Sequence, residues 1–178
     1  MNPYANGEWN LIDYVGIVLS EESKQALYQH LEKNGIRNDL RMNSENFFII
    51  KEQVVTVAYS YSRIKWNPMY QDLDGELIIP IDRLINVDEG MYRWNIFTDP
   101  NSAVQSLVLE FDSDFIRNYH QNFVKKQEAD WVFDDYTPQL RIVTGIVPTL
   151  DEIASMPLPD FKLIFDRIKY SRFCEQII

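Results

Sequence analysis

The sequence predicts an α+β protein of two pseudo-symmetric lobes, with antiparallel sheets and one helix packed on each lobe. Three observations point there. Short strand-like runs outnumber helical ones. Capped helical patterns of useful length occur twice, once in each half. Each follows an apolar strand and leads to a strand rich in Val and Thr. At 178 residues the chain suits one domain over residues 1–178, with a polar aromatic arm at 1–10.

The elements follow in order. Tyr14–Leu19 is a short apolar run and reads as a buried strand. Ser20 then caps a helix over residues 20–34. Glu21 and Glu22 suit the helix dipole there, and Gly35 stops it. Phe47–Ile50 and Val54–Ser60 read as strands, followed by a polar aromatic loop over 61–72. Glu76–Val87 alternates, and Pro80 confines it to a sheet edge or a bulge. Tyr92–Thr98 and Ala103–Phe111 form strands around the turn Asp99–Ser102. A helix over 114–127 places Phe115, Ile116, Tyr119, Phe123 and Val124 at core spacing. Trp131–Phe133 and Gln139–Ile146 read as strands, and Thr149 caps a short turn of helix. Phe161–Ile168 closes the sheet.

Charge narrows the function. The chain has 17 Lys and Arg against 27 Asp and Glu, a formal net charge of -10. Extended nucleic acids and anionic membranes attract positive fields, so neither is an expected partner. No run reaches the roughly 18 apolar residues of a membrane span, and Met1–Asn10 lacks the features of a signal peptide. The single cysteine, Cys174, excludes an internal disulfide and reads as a packed thiol. With His30 and His120 the only histidines, no metal and no cofactor is expected. Both sit on predicted helices; His30 reads as surface or partly packed, His120 as facing solvent.

Two segments carry a resemblance. Tyr14–Ala26 with Glu52–Ser60 (EQVVTVAYS) forms the first. Phe133–Ile142 (FDDYTPQLRI) forms the second. Over roughly residues 12–170 the chain resembles the two-histidine phosphoesterase superfamily, of LigT-like fold. The likeness is greatest to small phage members that degrade the cyclic oligonucleotides of bacterial CBASS defence. That superfamily carries a His-x-Thr motif on a strand of each lobe. Here Val54 and Gln139 stand at the two histidine positions, Thr56 is kept, and Arg141 replaces the second Thr.

The departures bear on chemistry. Imidazole works as general acid or base because its pKa, about 6.5, lies near the working pH. Valine has no exchangeable proton, and an amide does not trade protons usefully at neutral pH. Losing one such group typically costs on the order of 10² to 10⁴ in rate. The resemblance therefore implies a catalytically degenerate, phage-encoded protein in the host cytoplasm or the virion. It would act by assembly with a phage or host protein, or by sequestering a small cyclic nucleotide. The alternative is an active phosphodiesterase on cyclic oligonucleotides with an unorthodox proton donor.

Strand alternation places Thr56 on one motif face, and Gln139 and Arg141 on the other. This polar set suits either anion recognition, through the planar Arg141 fork, or a disused cleft with Arg141 paired to Asp134 or Asp135. Tyr59, Tyr61, Trp66 and Tyr70 suit ordinary packing, a protein interface or base stacking.

Overall fold

The computed structural model describes residues 9–36, 47–49, 53–61, 64, 75–99, 103–126, 129, 135–145 and 147–176. In chain order these form β1 (Trp9–Leu19), α1 (Glu21–Lys33), β2 (Phe47–Ile49), β3 (Val54–Ser60), β4 (Gly75–Val87) and β5 (Tyr92–Thr98). Then come β6 (Gln105–Phe111), α2 (Asp114–Lys126), β7 (Gln139–Gly145), α3 (Leu150–Ser155) and β8 (Leu163–Gln176). The predicted strand at Trp131–Phe133 and the loop tip with Trp66 and Tyr70 lie outside the described residues, as does the Cys174 side chain.

The caps form as the sequence predicts. Ser20 Oγ accepts the Ser23 N–H at 3.2 Å, and Gly35 leaves the helix at φ +74°. Thr149 and Glu152 make a reciprocal capping box on α3. The start of α1 is tied to β8 twice. The Ser20 N–H donates to Ile164 O at 2.8 Å, and Ser23 Oγ accepts the Ile164 N–H at 2.9 Å.

The strands form two antiparallel sheets, ordered β3-β1-β8-β4 and β2-β7-β6-β5. One buried cluster runs through both sheets and both long helices, with Val15, Val55, Leu109 and Leu140 among its members. Phe111 of β6 and Phe165 of β8 meet at 5.7 Å between ring centroids. Tyr92 adds a polar tie. Its hydroxyl lies 2.8 Å from Val87 O and 2.9 Å from Phe161 O, and it accepts the Leu163 N–H. Burial pushes its pKa up to about 12, so it remains a neutral donor.

Four expectations are corrected. Trp9 and Asn10 belong to β1, paired with Gln176 and Glu175, so the arm at 1–10 loses its last two residues to a strand. The opening strand therefore starts before Tyr14, and β8 runs eight residues past Ile168, to Gln176. Both extensions escaped the pattern because they contain polar residues that are buried and satisfied. Asp13 and Arg172 are 1% and 8% exposed and form a two-pronged ion pair at 2.6 and 3.0 Å. Asp13 Oδ2 also accepts the Ile64 N–H at 2.9 Å. Phe115, expected in the core, is 52% exposed, because Ile116 and Phe123 define the buried stripe. His120, expected in solvent, is buried on that same stripe.

Pro80 behaves as expected. β4 is an edge strand, and its pairing with β8 jumps from Pro80↔Arg167 to Ile85↔Phe165, leaving residues 81–84 as a bulge opposite Asp166.

Removing one partner of the Asp13–Arg172 pair leaves a buried uncompensated charge. Asp13→Ala should cost about 3–5 kcal/mol in urea unfolding. A loss under about 1 kcal/mol would show the pair to be dispensable.

Candidate functional site

β1–β3 and β6–β7 are each a pair of antiparallel strands separated in sequence by a capped helix, and their registers match. In the first, Val18↔Val54, Ile17↔Val55 and Gly16↔Thr56 are followed by Val15↔Ala58, which skips Val57. In the second, Glu110↔Gln139, Leu109↔Leu140 and Val108↔Arg141 are followed by Leu107↔Val143, which skips Ile142. Val54 thus corresponds to Gln139, and Thr56 to Arg141, the latter two each just before a one-residue bulge. Alternation directs all four away from the faces that carry Val55 and Leu140 into the core.

The first of these faces is filled. Tyr14 and Thr56 share a hydrogen bond between hydroxyls at 3.2 Å. Gly16 is required beneath them: an added Cβ would overlap Val54 Cγ1 and stand 2.7 Å from the Tyr14 hydroxyl. Next to Gly16, Lys169 is 9% exposed. Its ammonium lies 2.9 Å from Glu76 and 6.0 Å from the Tyr14 ring centroid.

The second face carries mostly polar side chains. Arg141 is exposed, with its guanidinium 5.5 Å over the Phe97 ring. Among the described residues it makes no ion pair, Asp135 included; Asp134 lies outside them. Glu110 accepts from Arg93 at 2.8 Å and from Asn95 at 2.9 Å, and Ser106 pairs with Thr144 at 2.9 Å. Gln139 and Arg141 share a face, as expected. No hydrogen bond joins Thr56 to either of them among the described residues.

The halves meet at the edge of β3. Thr56 O accepts the Tyr136 hydroxyl at 2.8 Å, and Val57 O accepts from His120 Nδ1 at 2.6 Å. The two rings stack at 3.8 Å and 11°. An accepting carbonyl assigns the proton to Nδ1 when His120 is neutral. Burial holds the His120 pKa below its ordinary value, against a smaller upward pull from Val57 O. Burial likewise raises the pKa of Tyr136. Arg117 braces the pair, donating to Tyr136 O at 2.7 Å and to Asp112 at 3.1 Å. A cavity of about 310 Å³ beside them is lined by Arg117, His120, Gln121, Asp135 and Tyr136. One signal pointed here: His120 stands four residues after Ile116 and three before Phe123, on the apolar stripe of α2.

His30 lies elsewhere. Its Nε2 is 2.9 Å from Pro157 O, and its ring packs edge-on to Phe161. Tyr59 touches Tyr61 and Phe173 edge-to-face, at 5.9 and 6.3 Å. Tyr61 and Phe173 are 41% and 38% exposed. Among the described residues no cluster of three or more His, Cys, Asp or Glu is placed to hold a metal, and no helix is long and apolar enough to cross a membrane.

No protein-family model matches the chain, and no curated protein is significantly similar to it.

Two outcomes follow. Gly16→Ala should destabilise by about 1–3 kcal/mol through overpacking. Val54→Ala should recover much of that in a double-mutant cycle, because it removes the overlapping methyl groups. For His120 the sign follows from the lowered pKa. The unfolded chain takes up a proton near pH 6.5 while the fold resists it, so stability is full above about 6.5 and falls on acidification. Thermal unfolding between about pH 7.5 and 5 should show this fall, and His120→Gln should flatten it. An unchanged pH profile in the variant would remove His120 as the cause.

Proposed function

We propose that this chain is a catalytically degenerate scaffold of the two-histidine phosphoesterase kind, acting by binding and assembly rather than by turnover. One observation carries the reading. The matched registers set Val54 against Gln139 and Thr56 against Arg141, and none of the four side chains moves protons near neutral pH. The packing of Val54 and Tyr14 over Gly16 supports it, since it fills the space directly over the Gly16–Thr56 pair. Neither histidine is on a motif face: His30 Nε2 is bonded to Pro157 O, and His120 Nδ1 to the strand edge.

The site chemistry suits recognition. Arg141 offers a planar cationic fork, and Gln139 a neutral donor and acceptor. The partly exposed aromatic group Tyr59, Tyr61 and Phe173 favours a protein partner, because tyrosine and other aromatic rings bury large area at little entropic cost. Assembly with a phage or host protein is the leading role. Holding a small cyclic nucleotide at Gln139 and Arg141 is the second, favoured by the exposed guanidinium.

Incubation with cyclic di- and trinucleotides and with 2′,3′-cyclic phosphate ends, read by chromatography, tests this. The expected result is no cleavage above buffer. Turnover that disappears in His120→Gln or Arg141→Ala would overturn the proposal.

A further inference from the structure

A second cavity, of about 210 Å³, opens at the start of α1 on the side of the sheet that carries Val18 and Ile78. Two cations from separate elements enter it. Lys24 Nζ, from α1, and Arg167 Nη2, from β8, each lie 3.6 Å from the same oxygen, Glu21 Oε1. At that distance neither contact is a good hydrogen bond. Glu21 is 66% exposed at its side chain, whereas Lys24 and Arg167 are 26% and 30% exposed. The carboxylate is therefore the most exposed of the three groups.

The cations are placed by the fold. Arg167 donates to Leu19 O and, in an ion pair through Nε, to Asp166 Oδ1, both at 2.9 Å, and its Nη2 is the group turned toward Glu21. Lys24 rides on the first turn of α1, which Ser20 and Ser23 fasten to Ile164. The wall includes the Gln53 side chain, 1% exposed. The positive end of the helix dipole adds to the field of the two side chains. Exposed ion pairs contribute little to stability, so moving Glu21 aside costs little. A tetrahedral dianion offers several oxygens, so each cation can take its own, whereas here one carboxylate oxygen serves both.

We propose that this cavity binds a single phosphate group between Lys24 and Arg167, with the Glu21 carboxylate holding the position until phosphate displaces it. The site lies at the Val18 end of the Val54–Thr56 face, beyond the packing over Gly16, is distinct from the Gln139–Arg141 face and does not rest on the absence of turnover. The ligand is either free phosphate or the terminal phosphate of a small nucleotide.

Titration of the full-length, ¹⁵N-labelled chain with inorganic phosphate, at ionic strength held constant with potassium chloride, tests it. Saturable amide shifts are expected at residues 20–24 and at Arg167. Glu21→Gln should bind about ten-fold more tightly, and Lys24→Ala about ten-fold more weakly. Both positions are at least partly exposed, and the same spectra report whether each variant is folded. A parallel titration with adenosine 5′-monophosphate separates the sources. Shifts at the same residues with equal or greater affinity assign a nucleotide, and no response to the nucleotide assigns free phosphate. Absence of saturation with phosphate, or unchanged affinity in Glu21→Gln, overturns the proposal.

Discussion

The joint on which the arrangement depends is the stacked pair His120 and Tyr136 at the edge of β3. An edge strand presents carbonyls that must find donors. At the Val57 bulge the ladder to β1 skips a residue, and the two carbonyls there turn to side chains of the other half. One ring comes from α2, the other from the segment leading into β7. Their face-to-face contact makes the two hydrogen bonds a single unit, braced by Arg117. The two sheets are thus registered by polar contacts of fixed direction as well as by the apolar cluster between them. Apolar packing alone tolerates sliding; a carbonyl aimed at an imidazole does not.

The two strand pairs show how one register supports different surfaces. At the position facing Thr56 the first has Gly16; at the position facing Arg141 the second has Val108, fully buried. Without a Cβ, Gly16 admits Tyr14 and Val54, which close the face. Val108 has a side chain at that position, and Arg141 lies over the Phe97 ring. With Tyr14, Val54 and Thr56 in one strand pair against Ser106, Gln139 and Arg141 in the other, the same register carries two different surfaces.

Much of this was legible from pattern. Strand–helix–strand order, the Ser20 and Thr149 caps and the edge position of β4 each rest on local rules, and local rules act over a few residues. What escaped notice depended on partners distant in sequence. Asp13 and Arg172 look like solvent-facing breaks until they are paired across β1 and β8. His120 looks like a surface residue unless its spacing to Ile116 and Phe123 is weighed above its polarity. The faces of Gln139 and Arg141 followed from alternation. The closing of the Thr56 face did not, because it depends on the Gly16–Val54 approach across strands.

The bulge at residues 81–84 of β4 has a consequence for how the molecule meets others. Pro80 has no N–H to offer a visiting strand, and the register beyond it is irregular. The longest outer strand of the fold is therefore a poor template for backbone pairing, which guards against fibrous stacking. Any companion that seats beside this edge must be recognised by shape and chemical character, not by continuation of the pleat.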